Sequence, residues 1–223
     1  MTLIISLGGS IIVPEEIDIG FLKKFRDTII KHSKKEKIVI ITGGGKTCRK
    51  YISAAKKISK ISNTDADWIG IKSTSLNAEL VRSMFSNKAY HQVIQDPTKK
   101  IATDKKILIS CGWMPGCSSD LDAVLIAKTF KADKVVNLTN IDHVYDKDPK
   151  KFKDAKPIKN ISWKDFRKLI GNEWLAGKNL PFDPIASKKA QSLKLKVIIT
   201  KGTNIENIKN ILNNKKFIGT VIY

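Results

Sequence analysis

The sequence predicts an α/β protein, a three-layer α/β/α sandwich around a mostly parallel central sheet. Three observations carry this. Short apolar runs rich in β-branched residues alternate with amphipathic stretches of helical period. Those runs are hydrophobic at nearly every position, as strands covered on both faces are. Three of them end directly in glycine-rich loops, and ligands bind beyond the carboxyl ends of strands in open parallel sheets. The 223 residues are enough for one domain with its own core, without disulfides or metals.

The elements follow in order. Thr2–Leu7 (TLIISL) reads as a buried strand. Asp18–Ser33 carries Ile19, Phe21, Leu22, Phe25, Ile29 and Ile30 at near-helical spacing, with Asp18 placed as N-cap. Lys37–Thr42 (KIVIIT) is the second strand, and Lys46–Ser59 and Asp67–Phe85 read as helices. Ala89–Ile94 and Lys106–Ser110 (KILIS) are further strands, followed by a helix at Ser119–Phe130 and the strand Lys134–Leu138 (KVVNL). Asp142–Asn160 is polar and reads as a loop or small hairpin. Ser162–Ile170 is a short helix with Ser162 as N-cap, and Asp183–Ser192 is a helix with proline at its first position. Lys196–Thr200 (KVIIT), a helix at Ile205–Leu212 and a last strand at Phe217–Tyr223 complete the pattern.

Composition excludes several classes. The N-terminal run MTLIISLGGSIIV lacks a basic leader and is broken by Gly8-Gly9. No apolar run reaches the length of a membrane span, so the expectation is a cytoplasmic protein without a membrane partner. Cys48, Cys111 and Cys117 form no CxxC pair and read as reduced thiols rather than a zinc site. The net charge is +20, but of the 41 basic residues only Arg26, Arg49, Arg82 and Arg167 are arginine, leaving 37 lysines. These are scattered along the chain without aromatic interleaving, which reads as a solvated surface and not a nucleic-acid footprint. The same charge helps to draw in polyanionic substrates.

The informative loops are Gly8-Gly9-Ser10, Gly43-Gly44-Gly45-Lys46 and Gly112–Asp120, each at the end of an expected strand. Glycine lets backbone N–H groups approach an anion closely, and a helix N-terminus adds favourable partial charge. Each loop alone also suits a tight turn, whereas three at one sheet edge suit a chain of phosphates. Gly45-Lys46-Thr47 is not a Walker A loop, because Ile40 stands where that motif needs glycine. G-x-G-x-x-G is missing after the first strand. His32, His91 and His143 sit in unrelated settings, so no nucleophilic triad forms.

The motifs together resemble a known family. They are Leu7–Ser10, Thr42–Lys46 with Arg49-Lys50-Tyr51, Asp67-Trp68-Ile69-Gly70-Ile71, Pro115-Gly116 with Ser118-Ser119-Asp120, and the run from Asn137 to Pro149 that reads NLTNIDHVYDKDP. Over essentially the whole length, the chain resembles the amino acid kinase superfamily and, within it, archaeal-type uridylate kinases. The resemblance implies transfer of the ATP γ-phosphoryl to UMP in pyrimidine biosynthesis, with Mg²⁺ and a homohexamer. It implies one domain, with acceptor binding in residues 1–130 and ATP binding in 131–223. It places Gly9, Ser10, Gly45 and Arg49 on the ATP phosphates, and Thr139, Asn140, Tyr145 and Asp148 around the donor nucleoside. Gly44, Asp67, Trp113, Met114, Pro115, Gly116, Cys117, Ser118 and Ser119 would hold UMP. Lys46, Arg49 and Lys188 would neutralise charge on the transferring group; the protein supplies no metal ligands of its own, and neither a histidine nor a buried carboxylate pair is expected in the site.

Read from the residues alone, several of these positions have a second meaning. Arg49 also suits a surface ion pair, Asp67 a helix N-cap, Tyr145 core packing, and Asp148-Pro149 a plain turn. Ser6 stands where many of the superfamily carry lysine, and Trp113 and Met114 where related uridylate kinases often have a small residue and a histidine. The rivals are another phosphate-acceptor kinase of the superfamily, a non-catalytic nucleotide-binding homologue and a nucleic-acid-binding protein. Isopentenyl phosphate kinases carry a histidine shortly after the second glycine loop, where this chain has Thr47, Cys48 and Arg49.

Overall fold

The structure, a computed structural model, describes residues 2–171 and 180–223. β1 (Thr2–Leu7) leads into a four-residue helix α1 (Gly9–Ile12) and then α2 (Ile19–Ser33), whose N-cap Asp18 accepts the Phe21 N–H at 2.9 Å. β2 (Lys37–Thr42) is followed by α3 (Gly45–Ile58) and α4 (Asn63–Ser83). β3 (Ala89–Ile94) and β4 (Ile107–Ser110) precede α5 (Ser119–Thr129) and β5 (Lys134–Thr139). Three two-residue strands come next, β6 (Val144–Tyr145), β7 (Pro157–Ile158) and β8 (Asn160–Ile161). The chain then forms α6 (Trp163–Ile170), α7 (Pro184–Ser192), β9 (Lys196–Lys201), α8 (Ile205–Leu212) and β10 (Thr220–Ile222).

The main sheet has eight strands in the order β3-β4-β2-β1-β5-β9-β10-β8. From β3 to β9 every pair is parallel; β10 runs antiparallel to β9, and β8 follows β10. β6 and β7 form a separate antiparallel hairpin, Val144 opposite Ile158 and Tyr145 opposite Pro157. Strand order turns at β1: the chain moves outward to β2 on one side and later returns to β5 on the other. That turn leaves a crevice beyond the carboxyl ends of β1 and β5.

Alternation along the strands makes two cores. Leu3, Ile5, Leu7, Ile38 and Ile40 face α1, α2, α4 and α8, while Ile4, Val39, Ile41, Val135 and Val197 face α5, α6 and α7. Because both sides of β1 are buried, its register is fixed by apolar burial on each face. This is the three-layer sandwich the sequence predicts.

Four local differences have physical reasons. The helix expected to open at Asp67 begins at Asn63, because Ser62 and Asp65 form a reciprocal capping box. Gly8-Gly9-Ser10 is not an extended loop but the entry to α1. The strand expected over Phe217–Tyr223 shrinks to Thr220–Ile222. At Ile218 the backbone N–H donates to Asn207 Oδ1 and the carbonyl accepts from Asn207 Nδ2 and Thr200 Oγ1, so side chains replace a strand ladder. β8 is an edge strand outside the expected set, too short to show a period.

Candidate active site

Every loop the sequence singled out leaves the same edge of the sheet. The Gly8 N–H donates to the Leu138 carbonyl at 2.9 Å, tying the end of β1 to the end of β5. Gly43 donates to Leu7 O at 3.0 Å, tying the second glycine loop to β1. The two loops then pass with backbone against backbone. A Cβ on Gly9 would lie 2.6 Å from the Gly43 carbonyl carbon, and one on Gly43 would lie 2.5 Å from Gly9 N. Gly45 opens α3 at φ +66°, with its missing Cβ aimed at the Gly9 carbonyl. Only glycine satisfies both the contact and the dihedral. Neither α1 nor α3 has a side-chain cap, although the Lys46 N–H of α3 is taken by Val13 O at 3.0 Å; uncapped helix starts are where anions bind.

A fourth loop joins them. The Gly202 N–H donates to Thr139 O at 2.7 Å, and a Cβ there would lie 3.0 Å from both Ile11 Cγ1 and Leu138 Cβ. Gly202 follows the apolar run KVIIT, so the rule that found the first three loops applies to it equally. The sequence reading did not use it.

α4 carries residues expected on the acceptor side. Asp67, Thr74 and Asn77 share one stripe of this helix at about 3.6 residues per turn. Asn77 Nδ2 donates to the Gly43 carbonyl at 2.7 Å. Thr74 Oγ1 accepts the Gly112 N–H at 2.8 Å, and Asp67 Oδ2 accepts the Gly116 N–H at 2.9 Å. Asp67 is therefore no N-cap; it anchors the expected acceptor loop. Gly116 itself sits at φ +81°, and Cys117 N donates to Met114 O to close the turn. Met114 and Gly116 are exposed, while Trp113, Pro115 and Cys117 are half-buried. Ser118 caps α5 by accepting the Leu121 N–H at 3.2 Å, and Ser119 starts that helix. Gly44 lies between α3 and α4, where a Cβ would meet Cys48 Cβ at 2.6 Å and Ser73 Cβ at 3.5 Å.

The rim is basic. Lys46 Nζ pairs with Glu15 at 2.8 Å, and this bond, with Lys50 and Arg49 close by, keeps the Glu15 carboxyl below its ordinary range. Arg49 is exposed on α3 beside this group. On the expected donor side, Thr139 ends β5 beside Gly202, with Asn140 exposed next to it. Tyr145 stands half-buried on the β6–β7 hairpin, edge-on to His143 at 6.5 Å between ring centres. Asp148 is exposed in the turn that follows and accepts the Lys150 N–H. Lys188 is not drawn in: it faces solvent on α7, whose buried residues are Pro184, Ala186, Ser187 and Ala190. Ser6 is buried in β1 between Ile41 and Asn137, directly beneath the glycine crevice.

The expectation of a site without buried carboxylates needs correction. Burial pushes the carboxyls of Asp120 and Asp122, on the first turn of α5, up to about 7. Burial also raises Asp183, the N-cap of α7. Asp120 Oδ2 accepts the Asp183 N–H at 3.0 Å and Asp122 Oδ2 the Trp113 N–H at 3.3 Å. Acidic residues in a first helical turn read as ordinary dipole partners, which is why the sequence concealed them. Burial likewise raises the Cys111 thiol to about 11, leaving it inert.

Glycine loops and uncapped helix ends at a strand-order switch define a phosphate-handling α/β protein. Comparison with known proteins narrows this. The family model described as "Amino acid kinase family" matches residues 1–201. A uridylate kinase of Thermococcus kodakarensis is 36% identical over 225 residues, covering 100% of this chain and 99% of that protein. One of Methanococcus aeolicus is 37% identical over 228 residues, with the same coverage. The crystal structure of uridylate kinase from Archaeoglobus fulgidus superposes with a TM-score of 0.87 at 31% identity, covering both chains fully. The chain belongs to the amino acid kinase family.

Proposed function

We propose that this chain is an ATP-dependent UMP kinase, transferring the γ-phosphoryl of ATP to UMP to give UDP and ADP in pyrimidine nucleotide biosynthesis. The observation that carries the reading is the meeting of Gly9, Gly43 and Gly45 beside an acceptor loop pinned to Asp67. The full-length relatives named uridylate kinase support it. Residues 1–130 would handle the acceptor and 131–223 the donor.

The chemistry suits such a site. A nucleotide phosphate is largely ionised near neutral pH, so its oxygen needs no general base. Catalysis then rests on holding two phosphates in line and stabilising charge between them. Gly9, Ser10 and Gly45 supply backbone N–H groups, Lys46 exchanges Glu15 for phosphate oxygens, and Arg49 beside it adds its charge. Asp67 offers its second carboxylate oxygen to a ribose hydroxyl of UMP. Thr139, Asn140, Tyr145 and Asp148 flank the donor nucleoside, and Trp113 to Ser119 enclose the acceptor. Lys188 would have to swing in from the outer face of α7. Among the described residues no group of three or more His, Cys, Asp or Glu side chains has a metal-holding arrangement. Mg²⁺ would be carried on the phosphates of ATP.

No helix among the described residues is long and apolar enough to cross a membrane. Tyr51, Ile58, Trp68 and Leu76, on α3 and α4, are large apolar residues with 66%, 85%, 46% and 64% exposure. They support a homo-oligomer, a hexamer by family resemblance, to be checked by light scattering.

The decisive measurement is ADP release with Mg²⁺ and ATP across UMP, CMP, AMP, GMP, isopentenyl phosphate and aspartate. Turnover highest with UMP is the expected result. Preference for another acceptor would keep the donor site and discard UMP. ATP binding without turnover would favour a non-catalytic homologue, the reading that Ser6 in place of a family lysine supports.

A further inference from the structure

Asp122 is a costly residue for its place. Its neighbours Ala123, Val124, Ile126 and Ala127 form the buried face of α5, and Asp122 is itself 0% exposed. Among the described residues, its Oδ2 accepts one N–H, that of Trp113 at 3.3 Å, and its Oδ1 has no hydrogen-bond partner. A buried carboxylate ordinarily gathers several donors or a cation. Among the described residues, the ionisable groups acting on its surroundings are acids or thiols. Asp120 lies on the same helix, Asp183 on α7, Cys117 in the acceptor loop, Cys111 at the end of β4, and Asp67 and Glu79 on α4. The strands packed against α5 present Ser6 and Asn137, which carry no charge. An alanine would fill this helix position without the penalty.

The side-chain hydrogen bond between Asp122 and Trp113 explains what it does. Trp113 opens the acceptor loop, whose other ties run from Gly112 to Thr74 and from Gly116 to Asp67. We propose that Asp122 is a positioning residue for the acceptor nucleotide: it sets Trp113 through the backbone N–H, and loss of its proton weakens acceptor binding. The inference rests on the UMP kinase reading above. As a neutral acid, Asp122 holds Trp113 and puts no charge beneath the loop. As a carboxylate, it adds a negative charge of low dielectric screening to a site that must admit a phosphate monoester. The monoester gains its own second charge near pH 6. Repulsion is therefore greatest above neutral pH and falls on the acceptor, not on ATP. Burial, which holds the carboxyl near 7, places this change in the working range. Asp120 titrates beside it, so the two protons leave as a coupled pair.

The test compares wild type with Asp122→Asn, which keeps shape and an acceptor for Trp113 but cannot ionise. KM for UMP, KM for ATP and kcat are measured from pH 5.5 to 8.5. The wild-type to variant ratio of UMP KM should rise about threefold or more between pH 6 and pH 8, while the ATP ratio stays flat. Titration of UMP itself is common to both proteins and cancels. A constant UMP ratio, or an equal change in both ratios, overturns the proposal. A second arm needs no substrate. The fluorescence difference between wild type and Trp113→Phe should show a transition with a midpoint near 7, absent in the Asp122→Asn background. Absence of UMP turnover alongside that transition would defeat the kinase reading while leaving the Asp122–Trp113 link standing. If Asp122→Asn does not fold, the wild-type difference alone decides, and no transition between pH 6 and pH 8 overturns the link. Asp120→Asn serves as control: it should lower the midpoint and keep the transition. Loss of the transition in that variant alone would assign it to Asp120 and end the proposal.

Discussion

Arg49 and Asp67 stand on consecutive helices, and the structure gives them different kinds of work. Arg49 is exposed on α3 and forms part of a basic rim around Glu15. Its removal leaves no cavity and no buried orphan, so Arg49→Ala should leave the melting temperature unchanged. If it meets the donor phosphates, kcat/KM should fall about tenfold to a hundredfold. Unchanged kinetics would return it to the surface-pair role that the sequence also allowed. Asp67 is a loop anchor through the Gly116 N–H. Asp67→Asn keeps an oxygen for that bond and removes the charge, so the loop stays while a ribose hydroxyl loses its stronger acceptor. KM for UMP should rise by about tenfold with KM for ATP nearly constant; the opposite split would move Asp67 to the donor side. The glycines were legible as residues because close backbone approach leaves few other choices. The carboxyls of Asp120 and Asp122 were not. Sequence shows an acid in a first turn, and only packing reveals that Asp122 is cut off from water.

α4 shows how one helix serves two loops. Asn77 closes on Gly43 and Thr74 on Gly112, so a single rigid element sets the distance between the glycine crevice and the Gly112–Asp120 loop. Asn77→Ala strips the Gly43 carbonyl of a buried donor. It should cost about 1–3 kcal/mol in denaturant unfolding and also raise KM for both substrates. Ser62→Ala at the same helix's N-terminus is the comparison. It removes the capping box, costing about 1 kcal/mol, with no change in either KM. Equal kinetic effects from both would mean that α4 matters only through overall stability. The start of α4 was misread for a reason seen in its letters: Ser62-Asn63-Thr64-Asp65 is a run of turn formers, and the box closes with aspartate rather than the commoner glutamate. Strands with both faces buried were read correctly because their apolar runs are unbroken. β8 and the shortened β10 depend on pairings between distant segments and on Asn207, and neither leaves a local period. Lys188 was placed by resemblance alone, and the helix around it turns its side chain outward.

For the molecule as a whole, the buried acids tie stability to pH. Asp120 and Asp122 titrate at about 7 in the fold but near 4 in an unfolded chain, roughly the ordinary aspartate value. Between those limits the folded protein holds protons that the unfolded chain releases. Stability is then fully present below about pH 4, declines as pH rises towards 7, and levels off above it. Glu15, Asp65 and Asp96 are shifted the opposite way by hydrogen bonds, but at the surface, where solvent screens the effect. The net charge of +20 opposes the trend by adding repulsion in acid, yet His32, His91 and His143 contribute at most three further charges in the window. Melting temperatures at constant ionic strength should therefore be higher at pH 5.5 than at pH 8. Asp122→Asn should narrow that gap by raising the pH 8 value, since it removes an uncompensated buried charge. A wild-type melting temperature that climbs from pH 5.5 to pH 8, or a variant with the same gap as wild type, would mean that water or a shift of the α5 turn already neutralises these carboxyls in solution.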